Sequence, residues 1–168
     1  METLNWFIVP IAAIIPLLVG MIWYNPKVFG TAWMKGTGLT EEQLRSGANM
    51  GKIFGLTYLF SLMVAMGLVA IVIHQMHIFS VLNNEPGLRE KGTEINTYVT
   101  EFMSKYGHNF RTFKHGALHG TIAGILLALP IIGVPALFER KTGKYIFINA
   151  GFWIVSMALM GGVICQFL

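Results

Sequence analysis

Long apolar stretches separated by short charged segments dominate the chain. Four stretches contain no Asp, Glu, Lys or Arg. Each exceeds the roughly 20 apolar residues that cross about 30 Å of hydrocarbon as an α-helix. We therefore predict an all-α integral-membrane domain over residues 1–168, with four transmembrane helices in a compact bundle. The predicted spans are residues 4–24, 53–79, 116–137 and 145–166.

A different periodicity marks the polar segment between the second and third predicted spans. Polar and charged residues cover one side of this segment, and six apolar or aromatic residues recur at the spacing of one helical face. These residues are Ile95, Tyr98, Val99, Phe102, Met103 and Tyr106. The pattern predicts an amphipathic interfacial helix that closes one end of the bundle, lying either on the lipid surface or over the helix ends.

Prolines interrupt two of the predicted spans. Pro10 and Pro16 lie in the first span, and Pro130 and Pro135 lie in the third. Each proline removes a backbone hydrogen bond and clashes with the preceding turn, so both spans should be kinked. Because broken helices can line a transport path, a small channel or carrier is one hypothesis for function.

Composition agrees with a membrane protein and excludes several other classes. The chain is 54% hydrophobic and only 12% charged, whereas about a quarter of the residues in soluble domains are charged. Cys165 is the single cysteine, which excludes a disulfide scaffold and predicts a small packing residue. The net charge of +4 lies in connecting loops rather than on a basic face, which argues against nucleic acid as a partner. The lipid bilayer is the partner that this composition predicts.

The distribution of Lys and Arg over the loops indicates an orientation. The two loops that join spans one to two and three to four carry seven of these residues, and the opposite side carries five. An excess of Lys and Arg faces the cytoplasm, so both termini are expected on the outside.

Glycines recur every fourth position along the third predicted span. Gly116, Gly120 and Gly124 form a smooth groove that another backbone can approach closely, and Gly161 on the fourth span is a natural mate. The motif indicates that another helix packs closely against the third span, but it does not identify that helix. It favours packing within the chain, and the alternative is the interface of a homo-oligomer.

All five histidines gather on one side of the membrane. His74 and His77 end the second span, His108 lies in the following loop, and His115 and His119 begin the third span. At about 1.5 Å per residue, His74 and His119 should lie at a matched depth of roughly 9 Å. A cluster of His74, His77, His115 and His119 could hold a transition metal, and the pair at matched depth could ligate haem. The interpretation favoured by the sequence is simpler: interfacial histidines bonded to carbonyls, lipid phosphate or water, with no cofactor.

Groups for catalysis and ion relay are not evident in the sequence. No charged residue lies within the spans, which disfavours coupled transport, because such carriers hold ionisable groups in mid-membrane. No nucleophile–base pair, Gly-rich phosphate loop or pair of carboxylates is recognisable. The sequence therefore favours a non-enzymatic integral-membrane component, either a homo-oligomer or an accessory subunit of a larger membrane complex. A haem- or metal-binding membrane protein is the second hypothesis.

Two blocks of sequence are similar to a known family. Both blocks are rich in aromatic residues: the first is Trp23, Tyr24, Asn25, Pro26, Phe29, Gly30 and Trp33, and the second comprises residues 137–140, 147–153 and 160–161. The chain resembles the small bacterial membrane proteins catalogued as domain of unknown function 1761. This resemblance implies four transmembrane helices in the bacterial inner membrane and implies no activity. It does not extend to residues 83–110. The aromatic residues of the first block should anchor a helix end at the interface, and they form a candidate binding pocket.

Overall fold

The computed structural model describes residues 4–46 and 49–168, and helices make up most of this part of the chain. Residues 1–3 of the predicted domain and residues 47–48 lie outside it. The helices are α1 (Ile8–Ala12), α2 (Ile15–Trp23), α3 (Thr31–Thr37), α4 (Glu41–Arg45), α5 (Met50–Val72), α6 (Met76–Val81), α7 (Glu94–Tyr106), α8 (Phe113–Ala123), α9 (Leu129–Phe138) and α10 (Gly143–Phe167). Two π-helical turns, Pro26–Gly30 and Gly124–Ala128, precede α3 and α9. No strand occurs within the described residues, which confirms the all-α prediction.

Three helical stretches are long and apolar enough to cross a membrane. They are α5, the continuous stretch Phe113–Phe138 that contains α8 and α9, and α10. A fourth candidate is the pair of stretches Ile8–Trp23 and Pro26–Thr37, which are bent by 58° at a short break. The described chain thus has three candidate spans, or four if the bent pair crosses as one unit, as expected of a multi-pass membrane protein.

The first predicted span, residues 4–24, is more broken than the sequence indicated. The helix is interrupted just before Pro16, which lies in the first turn of α2, and it ends at Trp23. Asn25 then caps the following turn by accepting a hydrogen bond of 3.0 Å from the Lys27 backbone N–H. Gly30 is buried in this bend, where a methyl group would overlap the carbonyl oxygen of Tyr24. The helical stretch therefore ends at Trp23, next to the predicted end of the span, and the bend begins at the aromatic block, where the sequence predicts a helix end.

The second predicted span, residues 53–79, divides into two helices. α5 ends at Val72, Ile73 leaves the helical region with φ −102° and ψ 82°, and α6 begins at Met76. In the break, Gln75 donates a hydrogen bond of 2.8 Å from Nε2 to the Asn109 carbonyl oxygen. One helix over residues 53–79 is thus wrong, since polar residues at this end leave the helix to contact the loop that follows α7.

The central helix of the fold is α10. It packs against α8 over most of the length of α8, and it also contacts α1, α2, α3 and α5. Met160 and Ile164 of α10 are completely buried and belong to one core with Leu68 and Val72 of α5 and Val9 of α1. The position of α8 is therefore set mainly by its fit to α10.

The glycine groove of α8 is filled by α10. A methyl group built on Gly120 would overlap the carbonyl oxygen of Met157, and one on Gly116 would overlap the carbonyl oxygen of Gly161. A methyl group on Gly124 would crowd the backbone of α10 in the same way. The groove therefore serves packing within this chain, and a homo-oligomer would have to use another surface.

The aromatic residues around the bend that follows α2 fix this bend against α10. Trp23 donates Nε1–H to the Ile148 carbonyl oxygen at 3.0 Å, and the Tyr24 hydroxyl lies 3.2 Å from Asn149 Oδ1, to which it donates. The rings of Phe29 and Trp33 pack on those of Trp23 and Tyr24, with centroids 4.6 and 5.3 Å apart. The residues proposed as a binding pocket are thus engaged with one another and with α10.

Replacing Tyr24 with phenylalanine should lower the free energy of unfolding by about 1 kcal/mol, because the hydrogen bond to Asn149 is lost while the ring remains. Chemical denaturation in one detergent measures this value. Tyr98→Phe is the matched control, since Tyr98 is 63% exposed on α7 and the change should stay within about 0.5 kcal/mol. Equal losses in the two variants would contradict the anchoring role of Tyr24.

Candidate metal centre

Two chain segments bring histidines to one end of the fold. His115 and His119 are four residues apart on α8, so they share one face of that helix. This face lies one residue, or about 100°, around the helix from the glycine face that packs on α10. His74 lies in the break between α5 and α6, and α5 packs against α8. The break therefore places His74 beside the histidine face of α8.

The rings of His74, His115 and His119 form a compact group, called here the three-histidine cluster. Their centroids are 4.5 Å apart for His115 and His119, 4.7 Å for His74 and His119, and 5.1 Å for His74 and His115. Each ring offers one nitrogen, and these three nitrogens lie within 4.8 Å of one another. Three imidazole nitrogens at this spacing can bind one metal ion.

One nitrogen of the cluster has no partner within the described part of the chain. Nε2 of His115 is buried and forms no hydrogen bond there. Buried polar atoms are nearly always paired, so each exception calls for an explanation, and an ion is one of them. A metal ion bound through Nε2 of His115 would give this nitrogen its missing partner.

The other two histidines lie outside this group of nitrogens. His77 is exposed on α6, with its ring centroid 6.4 Å from that of His74 and its Nδ1 3.2 Å from the His74 carbonyl oxygen. His108 lies in the turn after α7. The structure thus brings together three of the four histidines that the sequence proposed as a cluster. His77 is separated because the helix break moves it onto α6, and the apolar pattern alone did not predict that break.

Cys165 holds the segments that carry the cluster. Its buried sulfur lies 3.5 Å from the carbonyl oxygen of Val72 and 3.4 Å from that of Phe110, and its single S–H is shared between these two acceptors. Arg111 donates Nε–H to the carbonyl oxygen of Cys165 at 2.9 Å. These bonds tie the end of α5 and the loop before α8 to α10. The sequence predicts only packing for Cys165, and the structure adds this positioning role.

A half-open surface pocket of about 220 Å³, called the cavity below, adjoins the three-histidine cluster. His74 and His115 form part of its wall, Gln75 and Asn109 add polar groups, and the wall is otherwise largely apolar. The apolar and aromatic wall residues are Val72, Ile78, Phe102, Tyr106 and Phe110. Sequence reasoning missed this cavity, because it depends on where α7 docks.

The helix α7 spans the residues for which the sequence predicts an amphipathic helix. Val99 is buried, Phe102 and Tyr106 are 36% and 39% exposed, and Tyr98 is 63% exposed. Only one edge of its apolar face therefore packs on the protein. That edge forms the outer wall of the cavity.

Comparison with known proteins places the chain in a family. No curated protein and no solved structure matches it at significant similarity. Residues 7–165 match a family described as protein of unknown function (DUF1761). The matched range includes both similar blocks and also residues 83–110, where sequence inspection found no counterpart. Because the match covers nearly the whole chain, this protein belongs to the DUF1761 family of proteins of unknown function.

Proposed function

We propose that this is a multi-pass membrane protein that binds one zinc ion in the three-histidine cluster. The proposal rests on the three imidazole nitrogens within 4.8 Å of one another, contributed by two separate segments of the chain. Three histidines with an open fourth position are a familiar zinc ligand set. The buried, unpartnered Nε2 of His115 supports the assignment.

Small side-chain movements would complete the site. Zinc–nitrogen bonds of about 2.0–2.1 Å in tetrahedral geometry place the ligand nitrogens about 3.3 Å apart. Nitrogens separated by up to 4.8 Å therefore have to approach one another by at most about 1.5 Å, which modest rotations about χ1 and χ2 supply.

Haem suits this cluster less well than a metal ion alone. A bis-histidine haem needs an open slot as wide as the porphyrin between its two imidazoles. The rings of His74 and His119 instead pack edge to face with centroids 4.7 Å apart, and His115 lies against both rings. The geometry therefore favours an ion shared by all three side chains.

The wider role stays a prediction. The glycine groove was the main sequence feature in favour of a non-enzymatic homo-oligomer, and this groove packs within the chain. An accessory subunit is compatible with a metal centre. The channel or carrier hypothesis rests on the prolines alone.

For the membrane topology, we propose a four-helix bundle in the bacterial inner membrane with both termini outside. This arrangement requires the bent pair Ile8–Trp23 and Pro26–Thr37 to cross the membrane as one span.

Direct measurement of bound zinc tests the proposal. The full chain in lipid nanodiscs is stripped with a chelator, incubated with Zn²⁺ and passed through a desalting column. Metal content by mass spectrometry should then be about one zinc ion per chain. A protein that retains no zinc after incubation at micromolar free Zn²⁺ would contradict the proposal.

A further inference from the structure

We infer that the fourth coordination position of the zinc ion takes a small organic carboxylate with an apolar body, held in the cavity beside the three-histidine cluster. This inference rests on the proposed zinc site and adds a class of ligand to it. Its own observation is the cavity of about 220 Å³, whose wall includes both His74 and His115. A metal held by these side chains would lie at the edge of that space.

The charge balance of the site favours an anion. The three ligands are imidazoles, and the described Asp, Glu and Cys residues contribute no atom to the group. The cavity wall contains no Asp, Glu, Lys or Arg either. Bound Zn²⁺ would therefore keep its full charge of +2 beside an apolar wall, where an unpaired charge is unfavourable. A carboxylate reduces that charge and is itself a zinc ligand.

The rest of the wall defines the body of the ligand. Phe102, Phe110 and Ile78 present apolar surface, while Nε2 of Gln75 already donates to the backbone carbonyl oxygen of Asn109. An apolar cavity of about 150 Å³ accommodates benzene, so this larger cavity has room for a ring that carries one carboxylate. The chemistry points to a compact aromatic or branched acid. A membrane fatty acid also carries a carboxylate, but its alkyl chain would have to extend out of the cavity.

Replacing zinc with cobalt(II) allows metal binding and anion binding to be measured separately. Co²⁺ replaces Zn²⁺ in tetrahedral sites, and its visible absorption bands respond to each ligand. We expect intense tetrahedral bands when the full chain in nanodiscs is loaded, and a shift of these bands when benzoate is added. Benzoate should bind about tenfold more tightly than acetate, because burial of the phenyl ring adds hydrophobic free energy that acetate lacks.

The outcomes of this experiment separate the two proposals. Failure of Co²⁺ to load, or bands of an octahedral ion, would overturn both the zinc site and the anion. Tetrahedral bands that do not respond to benzoate would leave the zinc site standing and overturn the anion. Tighter binding of dodecanoate than of benzoate would contradict the proposal of a compact acid. It would indicate instead that the ligand is a fatty acid from the membrane.

A variant of the cavity wall tests where the anion lies. Phe102→Trp enlarges a side chain in the wall and leaves the three histidines in place. It should weaken benzoate binding about tenfold, because the ring loses its space, while Co²⁺ loading and acetate binding stay unchanged and so report an intact fold. Tyr98→Trp is the matched control on the same helix, since Tyr98 is exposed and does not line the cavity. Equal benzoate affinities in the two variants would overturn the placement.

Discussion

Replacing His119 with alanine should weaken zinc binding by more than about 100-fold. Groups that merely orient a zinc ligand change metal affinity by about 10- to 100-fold, so removal of a ligand should exceed that range. His115→Ala should behave in the same way, because the two side chains share one face of α8 and approach the same point. Competition with a chromophoric chelator, on protein in nanodiscs, measures the affinity.

The matched control for this prediction is His77→Ala. His77 is exposed, its ring is 6.4 Å from that of His74, and it contributes no nitrogen to the three-histidine cluster. Its removal should change zinc affinity by less than about threefold, as expected of a surface substitution. A loss as large as that of His119→Ala would show that zinc uses the four-imidazole cluster suggested by the sequence.

Replacing Gly120 with alanine should lower the free energy of unfolding by about 3 kcal/mol. The added methyl group would overlap the Met157 carbonyl oxygen and crowd the α-carbon of Ala158. Both are backbone atoms of α10, so the clash is relieved only if the two helices separate, at the upper end of the cost of overpacking. Because His119 precedes Gly120, the same displacement should also weaken zinc binding.

Gly67→Ala provides the control for this prediction. Gly67 lies within α5, and a methyl group there meets no atom within 4 Å. An alanine at such a position should leave stability unchanged or raise it by up to about 1 kcal/mol, because alanine favours the helix. Unfolding of both variants in the same detergent measures the difference. Equal stabilities would contradict the close contact between α8 and α10.

The spans were predictable because one physical property defines them. A charge-free apolar stretch of sufficient length is enough, and the third and fourth predicted spans nearly coincide with Phe113–Phe138 and Gly143–Phe167. The sequence also predicts a helix end at the first aromatic block, but it does not predict the break after Val72 or the contacts that hold either break. The chain leaves the helix after Trp23 and after Val72, where Trp23 bonds to Ile148 and Gln75 bonds to Asn109. These partners are distant in sequence, and hydropathy carries no information about them.

Part of the candidate site was also predictable from the sequence. The spacing of His115 and His119 places them on one helical face, and a simple depth argument sets His74 level with His119. The exclusion of His77 depends on the break after Val72, and that break is held by Cys165 and by the loop at Phe110. The cavity depends on the docking of α7, which only the folded chain defines.

X-ray absorption at the zinc K edge of the loaded protein tests the central claim most directly, because it reports the number and type of atoms bound to the metal. The three-histidine centre predicts about three imidazole nitrogens at roughly 2.0–2.1 Å, with the multiple-scattering pattern of imidazole rings and one further light atom. A sulfur neighbour at about 2.3 Å, or a shell of oxygen atoms without the imidazole pattern, would contradict it.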